Sequence, residues 1–218
     1  MKEERVLIPS AGIQLEGLLR VHEGLSFNRG VILCHPHPLY GGDMDNPVIV
    51  TAGEVASQEG FSTLRFNFRG VGESEGTYGE GIGEGEDVKA VIDYFYSKLK
   101  NSNPYLILFG YSFGAWAGFP IAIRDERVQG MVGIAPPLEL HDFGYLKGCK
   151  KRKLLIAGNR DLYCPTPLLE ELYETLDEPK SIAIISGAIE LAYPKYAARA
   201  SKSQICTRES SAEDSLRD

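Results

Sequence analysis

Short apolar stretches recur along this 218-residue chain, and glycine, proline or polar residues separate them. Eight of these stretches have the length and the flanking residues that are typical of strands. They read RVLIPS, LEGLLRV, GVILCH, STLRFNF, YLILFG, VQGMVGIA, KLLIAG and SIAIISG.

Helical periodicity is present between several of these stretches, where apolar residues repeat every three or four positions. One such face consists of Val48, Ala52, Val55 and Ala56, and another of Val88, Val91, Ile92, Phe95 and Leu99. Strands that alternate with helices are typical of an α/β protein. We therefore predict a mostly parallel sheet of about eight strands with helices on both faces.

Two helix starts can be predicted from a polar residue followed by proline. Asn46 precedes Pro47, and Thr166 precedes Pro167. A side-chain oxygen at the N-cap and a proline in the first turn favour the start of a helix. We expect Asn46 and Thr166 to cap the helices that follow them.

The composition limits the class of protein. With 43% hydrophobic and 24% charged residues, the chain has the balance of a globular protein. Its net charge is −7 and its lysines and arginines are scattered, so we expect no nucleic-acid partner. The last residues are polar and poor in large aliphatic side chains. We predict one folded domain over residues 1–192 and a polar tail, disordered or divergent, over residues 193–218.

The first residues and the cysteines bear on localisation. The start, MKEERVLIPS, fits a first strand better than a signal peptide. The cysteines are widely spaced and form no C-x-x-C pair, which indicates reduced thiols. They are Cys34, Cys149, Cys164 and Cys206. These features predict a cytoplasmic protein.

Residues 105–123 carry no charge over a length that could imitate a membrane helix. Three glycines, a serine and a proline interrupt this run. A strand buried on both faces and a buried helix after it explain the same composition. We therefore expect no membrane-spanning segment and no membrane partner.

Within that run, Gly110, Ser112 and Gly114 form the pattern G-x-S-x-G between a predicted strand and a predicted helix. A serine nucleophile on such a tight turn has strained backbone angles, and small residues are required two positions before and after it. The pentapeptide alone is a weak signal, but its position strengthens it. The alternative is a glycine-rich turn with a solvated serine.

An activated serine also requires donors for the oxyanion that forms on its substrate. The segment CHPHPLYGG follows the strand GVIL, and its two prolines have no N–H. The candidate donors there are the N–H groups of His37, Leu39 and Tyr40, of which we rank His37 first. Phe113, directly after the serine, is predicted to supply the second N–H.

Five segments together resemble the small, capless α/β-hydrolases. They read HPHPLYGGDMDNPVI, TLRFNFRGVGESEG, FGYSFGAWAG, GIAPP and AGNRD, in the order that the family has them. The resemblance implies an α/β-hydrolase fold and no cofactor. It also implies Ser112 as nucleophile, Asp161 as the acid, and the main-chain amides of His37 and Phe113 as the oxyanion hole. The short spacing between GIAPP and KLLIAG leaves no room for a lid.

Asp161 follows the residues Gly158 and Asn159 after the strand KLLIAG. An aspartate in this position often only caps a turn. The family pattern favours the catalytic role, because the acid of this fold follows the serine in the chain.

The pattern departs from the family at the histidine, which should follow the last strand. All four histidines, His22, His35, His37 and His141, precede Asp161. Where similar proteins read GADHF, this chain reads GAIEL, so Glu190 takes the place of the histidine. A carboxylate is a poor base for a serine, because its reference pKa is about 4.3.

Three explanations remain open at this level. A base is recruited from elsewhere, with His35 and His37 ahead of His141. A change of reading frame near codon 188 has replaced the ending. Or the chain is a scaffold without triad chemistry.

The sequence therefore predicts a hydrolase of small carboxylic esters that forms an acyl-enzyme on Ser112, with weak activity. The alternative is a catalytically silent scaffold that binds a small acyl ligand or a partner protein. A metal-dependent hydrolase using His35 and His37 is a further rival, but their spacing to Asp43 and Asp45 matches no familiar site. We expect no metal.

Overall fold

The computed structural model describes residues 2–21, 29–99, 104–189 and 205–209. Nine strands are found in this part of the chain. They are β1 (Lys2–Ser10), β2 (Ile13–Val21), β3 (Arg29–Cys34), β4 (Ser62–Phe66), β5 (Tyr105–Tyr111), β6 (Val128–Ile134), β7 (Arg152–Arg160), β8 (Lys180–Ile189) and β9 (Ile205–Glu209). The longer helices are α1 (Pro47–Gln58), α2 (Ile82–Lys98), α3 (Phe113–Arg124) and α4 (Thr166–Thr175), and short 3-10 turns cover Pro38–Tyr40 and Gly144–Leu146.

All nine strands belong to one sheet with the order β1-β2-β4-β3-β5-β6-β7-β8-β9. The six strands from β4 to β8 in this order are parallel, and β1, β2 and β9 pair antiparallel at the edges. The mostly parallel sheet and all eight predicted strands are confirmed. The ninth, β9, pairs with β8 and lies in the segment predicted as a polar tail. The other residues of that tail lie outside the described residues.

Helices cover both faces of the sheet, as the alternation predicts. Successive side chains of a strand point to opposite faces. In β3, the side chain of Leu33 lies against Gly53 of α1, whereas the thiol of Cys34 lies against Gly118 of α3. The helices α1 and α3 therefore lie on opposite sides of the sheet.

The two predicted helix caps have different outcomes. Asn46 is confirmed, because its side-chain oxygen accepts a hydrogen bond of 3.0 Å from the N–H of Val48. The prediction for Thr166 is wrong. The helix α4 already includes Thr166, Pro165 is its N-cap, and the buried Thr166 hydroxyl has no hydrogen-bond partner among the described residues. The chain starts the helix one residue early, so the hydroxyl lies inside its first turn.

The uncharged run that could imitate a membrane helix is divided between β5 and α3. Two successive side chains of β5, those of Leu108 and Phe109, point to opposite faces of the sheet and are 0% and 7% exposed. A strand between parallel neighbours is covered on both faces, which explains its continuous apolar sequence. None of the helices in the described ranges has the length and apolarity required to cross a membrane.

A buried carboxylate joins three distant parts of the fold. Asp87, in α2, has no exposed surface. Its oxygens accept hydrogen bonds from the hydroxyl of Ser10 at 2.8 Å and from the main-chain N–H of Arg69 at 3.0 Å. The Arg69 guanidinium donates two more, at 2.9 and 3.1 Å. This network fastens α2 to the end of β1 and to the loop after β4.

We expect Asp87→Asn to lower the free energy of unfolding by about 2 kcal/mol, because hydrogen bonds to a buried charged group are lost. Glu86→Gln is the matched control, since Glu86 pairs with the same Arg69 but its side chain is 59% exposed. An exposed pair contributes less than about 1 kcal/mol. Urea unfolding of both variants measures the difference, and equal losses would contradict a special role for Asp87.

Candidate functional site

The serine of the G-x-S-x-G pattern lies on a sharp turn between β5 and α3. Ser112 has φ 50° and ψ −114°, a region that residues with side chains rarely adopt. Its N–H donates to the carbonyl of Ile134 at 2.8 Å, and its own carbonyl accepts from the N–H of Ala115 at 2.9 Å. These bonds hold the strained backbone, and the Ser112 side chain remains partly exposed.

The two glycines of the pattern are required by close packing. A Cβ atom at Gly110 would collide with the backbone of Ala115. A Cβ atom at Gly114 would collide with the carbonyls of Cys34 and His35 at the end of β3. The predicted reason for small residues at these positions is thus seen in the structure, and the start of α3 packs directly against the end of β3.

The segment after β3 folds back beside this turn. The carbonyl of His37 accepts hydrogen bonds from the N–H groups of Tyr40 at 3.1 Å and Gly42 at 3.0 Å. The imidazole of His37 lies with its centre 4.7 Å from that of the Phe113 ring. Within the described ranges, the main-chain N–H groups of His37 and Phe113 donate no hydrogen bond. The structure therefore brings His37 and Phe113 together next to Ser112.

His35 has a structural role. It is fully buried, its Nδ1–H donates to the carbonyl of Pro36 at 2.6 Å, and its Nε2 accepts from the N–H of Phe68 at 3.0 Å. Burial lowers its pKa to about 4, so the ring is neutral near pH 7. Because both nitrogens are engaged, His35 is available neither as a base for Ser112 nor as a metal ligand.

The ring of His37 is also engaged. Its Nδ1 accepts from the N–H of Leu39 at 3.2 Å, so Nε2 carries the proton and faces the hydroxyl of Tyr78 at 3.3 Å. Burial lowers the pKa of His37, with the charge of Glu84 acting in the opposite direction. In the described part of the chain, no hydrogen bond joins this ring to Ser112.

His141 packs against the aromatic side chains that follow Ser112 in α3. Its ring stacks on Trp116 with 4.0 Å between ring centres and 17° between planes. Burial lowers its pKa, so the neutral form predominates near pH 7. Trp116 in turn lies 5.5 Å from the ring of Phe113. His141 thus contributes a flat surface near the nucleophile, and it makes no hydrogen bond to Ser112.

Asp161 follows β7, and only one of its two carboxylate oxygens accepts hydrogen bonds from the described residues. Its Oδ1 accepts hydrogen bonds from the N–H groups of Tyr163 and Cys164, both at 2.9 Å. The residue is 5% exposed, and its Oδ2 is a buried oxygen without a hydrogen-bond partner among the described residues. A buried carboxylate oxygen without a donor is costly, because the group has lost its hydration. Asp161 therefore caps a turn through Oδ1, and its Oδ2 can still accept a hydrogen bond.

The strand that precedes the place predicted for the missing histidine ends beside this acid. The last residue of β8, Ile189, pairs with Arg160, which directly precedes Asp161. Glu190, predicted to take the place of the histidine, lies outside the described residues.

Two residues that support the site were not found from the sequence. Glu84 is fully buried and accepts hydrogen bonds from the N–H groups of Gly79 at 2.8 Å and Gly81 at 2.7 Å, which fixes the loop before α2. A glutamate three residues after the N-cap Gly81 is a capping signal that could have predicted this. The contact of Tyr78 with His37 has no local signal, because it joins residues 41 positions apart.

The metal-site alternative requires several ligand side chains close together. Across residues 2–21, 29–99, 104–189 and 205–209, no cluster of three His, Cys, Asp or Glu side chains could hold a metal ion. The two nitrogens of His35 are already bound within the protein. The described residues therefore offer no ligand pair made of His35 and His37.

Comparison with known proteins identifies the family. A model of the serine aminopeptidase S33 family matches residues 51–166. An uncharacterised protein of Rickettsia prowazekii is 33% identical over 165 residues, which cover 72% of this chain and 69% of that protein. The chain belongs to the S33 family. The resemblance drawn from the five sequence segments is thus confirmed.

Solved structures agree with this S33-family assignment. An α/β serine hydrolase homologue from Coxiella burnetii matches with a TM-score of 0.80 and 34% identity, over 87% of this chain and 90% of that one. A serine hydrolase without a lid from Xanthomonas campestris matches with a TM-score of 0.77 and 25% identity, over 87% and 86%. The chain has the α/β-hydrolase fold without a lid, as predicted.

We expect Gly114→Ala to lower the free energy of unfolding by about 1–3 kcal/mol, because its new methyl group would force α3 away from β3. Gly53→Ala is the matched control in α1, where a Cβ atom would lie 3.8 Å from Leu33 in ordinary contact. Removing a helical glycine there should stabilise the protein by about 0.5–1 kcal/mol. Urea unfolding of both variants tests this, and a neutral Gly114→Ala would contradict the packing argument.

Proposed function

We propose that this S33-family hydrolase cleaves small carboxylic esters through an acyl-enzyme on Ser112. One observation carries the proposal: Ser112 is held at a strained, partly exposed turn, the ring of His37 packs against that of Phe113, and the main-chain N–H groups of these two residues have no described acceptor. Such N–H groups are suited to stabilise negative charge on a carbonyl oxygen. The family and its hydrolase relatives support the general reaction class.

In the proposed reaction, the Oγ of Ser112 forms a bond to the ester carbonyl carbon while its proton passes to a base. The carbonyl oxygen becomes an oxyanion and accepts hydrogen bonds from the N–H groups of His37 and Phe113. Collapse of this intermediate breaks the bond to the alcohol, which leaves with a proton. Water then attacks the acyl-enzyme by the same steps and releases the acid.

Asp161 is proposed as the acid that orients the base. Its backbone contacts fix Oδ1, and the unpartnered Oδ2 remains to accept the N–H of an imidazole. In a serine triad the acid holds the histidine in the correct tautomer and stabilises its cation. The free oxygen supports this role, because a turn cap alone would need only Oδ1.

The base is the weak point of the proposed mechanism. His35 and His37 have their nitrogens engaged elsewhere, and Glu190 is a poor proton acceptor for a serine. Loss of the triad base lowers turnover by roughly 10⁴- to 10⁶-fold, while the oxyanion hole and binding leave a residual rate. We therefore propose weak hydrolysis by this chain.

A silent scaffold is the second candidate, and a specific observation favours it. Among the described residues, no side chain hydrogen-bonds to the Ser112 hydroxyl, so none of them is placed to take its proton. A chain of this kind would bind an acyl ligand at the same turn without turning it over. Covalent labelling separates the two candidates, because it requires a reactive serine.

We expect a fluorophosphonate probe to label the protein and Ser112→Ala to abolish the labelling. Ser97→Ala is the matched control, since Ser97 is an exposed serine of α2 whose hydroxyl donates to Tyr94. This variant should be labelled as strongly as the parent chain. Gel fluorescence and intact mass give the readout, and a parent chain without label would favour the silent scaffold.

We further expect Glu190→His to raise the hydrolysis of p-nitrophenyl butyrate by about 10²-fold or more, because it supplies a base of suitable pKa. The rate should rise with pH through about 7, since only the neutral imidazole accepts the serine proton. Glu190→Gln removes the charge without adding a base and should remain at the parent rate. Adding Asp161→Asn to Glu190→His should remove most of the gain; equal rates for the His and Gln variants would refute the assignment.

A further inference from the structure

Tyr78 is a polar side chain beside the site that the proposed reaction does not use. It lies in the loop between β4 and α2 and is half-buried, and its hydroxyl is 3.3 Å from Nε2 of His37. The centre of its ring lies 5.2 Å from that of His37 and 6.0 Å from that of Phe113. Tyr78 therefore packs against both residues whose main-chain N–H groups are proposed to bind the oxyanion.

The loop that carries Tyr78 is held in place by contacts of its own. Buried Glu84 accepts hydrogen bonds from the N–H groups of Gly79 at 2.8 Å and Gly81 at 2.7 Å, and Gly79 directly follows Tyr78. On the other side, Gly70 has φ 75°, and a Cβ atom there would lie 3.3 Å from the main-chain nitrogen of Tyr78. The backbone of Tyr78 is therefore fixed without help from His37.

The imidazole of His37 connects this loop to the turn after β3. Its Nδ1 accepts a hydrogen bond of 3.2 Å from the N–H of Leu39, which makes His37 the cap of the 3-10 turn Pro38–Tyr40. A neutral ring that accepts at Nδ1 carries its proton on Nε2, and this N–H faces the Tyr78 hydroxyl. Because the ring is held at both nitrogens, its orientation and the backbone turn of His37 are fixed together.

We propose that Tyr78 is a positioning residue of the oxyanion hole: its hydroxyl accepts the Nε2–H of His37 and thereby holds the main-chain N–H of His37 where the oxyanion forms. The effect on the reaction rests on the proposed function. Tyr78 acts through His37 and does not contact the reacting atoms. A donor stabilises the oxyanion fully only when it is aimed in advance at the place where the charge develops. Loss of the Tyr78 hydroxyl should therefore lower the rate although both donors remain.

The arrangement of His37 is measured first, by NMR of the full chain, and this requires no reaction. The chain has four histidines, so labelling histidine with ¹⁵N gives few signals, and those of His37 are assigned by their loss in His37→Asn. Near pH 8 we expect one tautomer with the proton on Nε2 and one main-chain amide signal. In Tyr78→Phe we expect a mixture of the two tautomers and a shifted or broadened amide signal.

The reaction is measured by the rate of fluorophosphonate labelling. We expect Tyr78→Phe to lower the maximal rate at saturating probe by about tenfold, because loss of an oxyanion donor itself costs about 10²- to 10³-fold. The probe concentration that gives half of this rate should not change, since the ring is retained. Tyr94→Phe is the matched control, because Tyr94 is a half-buried residue of α2 whose hydroxyl has no hydrogen bond within the described ranges. It should leave the NMR signals and the labelling rate unchanged.

Several charged and titratable groups act on the His37 ring. Burial and the charge of His141 lower the pKa of His37 below its ordinary value of about 6.5, and the charge of Glu84 acts in the opposite direction. His35 has a pKa of about 4 and is neutral at higher pH. These groups come from the end of β3, the turn after it, the loop before α2, α2 itself and the loop after β6. They are His35, Tyr40, Tyr78, Glu84 and His141.

The pH dependence of labelling gives a result that a merely structural role of Tyr78 would not produce. Once His37 is protonated, its Nδ1 becomes a donor and faces the N–H of Leu39, so the arrangement is lost in the parent chain as well. The parent rate divided by the Tyr78→Phe rate should therefore be about ten near pH 8 and approach one below about pH 6. Titration of the base affects both chains alike and cancels in this ratio.

Three results would overturn the proposal. They are the same His37 tautomer and amide signal in the parent and in Tyr78→Phe, equal maximal labelling rates, and a rate ratio above one that is independent of pH. A parent chain without label would reject the proposed reaction. The NMR comparison alone would then decide whether Tyr78 holds the N–H of His37, so the two failures are distinguishable.

Discussion

The close approach between the start of α3 and the end of β3 is the constraint on which the site depends. At Gly114 the backbone of the helix lies so near the carbonyls of Cys34 and His35 that no side chain fits between them. This contact fixes the N–H of Phe113 relative to the segment that begins at His35. It also forces Ser112 into its positive φ, because the chain must turn from strand to helix within one residue. Hydrogen bonding to Ile134 of the neighbouring strand then stabilises the strained turn.

Much of the fold and part of the site could be predicted from the sequence, because their signals are local. The eight apolar stretches became strands, since a strand between parallel neighbours requires apolar residues on both faces. Gly110 and Gly114 could be read in the same way, because steric exclusion at a tight turn acts within a few residues. The strand β9 was missed because its short sequence, ICTRE, is mostly polar and carries no strong apolar pattern.

The features that could not be predicted depend on partners distant in the chain. His35 and His37 are alike in the sequence, but His35 accepts from Phe68, 33 positions away, and His37 faces Tyr78. The loss of both as candidate bases follows from these distant contacts together with the local ones to Pro36 and Leu39. For Asp161, the position could be predicted from the sequence but the hydrogen bonding of its two oxygens could not. Its position predicted a carboxylate at the right strand end, but the sequence could not show that one oxygen would be satisfied and the other left without a donor.

The absence of a lid also changes what the loops at this edge of the sheet must do. In a hydrolase with a lid, apolar side chains around the nucleophile can pack against the additional domain. Here the described residues provide no such cover for Leu39 or Leu162, so their exposure brings no gain in folding free energy. When such exposed side chains are changed to serine, the protein loses little folding free energy. Any effect of such a change on ester binding would therefore report on contact with the ligand, and the fold would remain the same in the comparison.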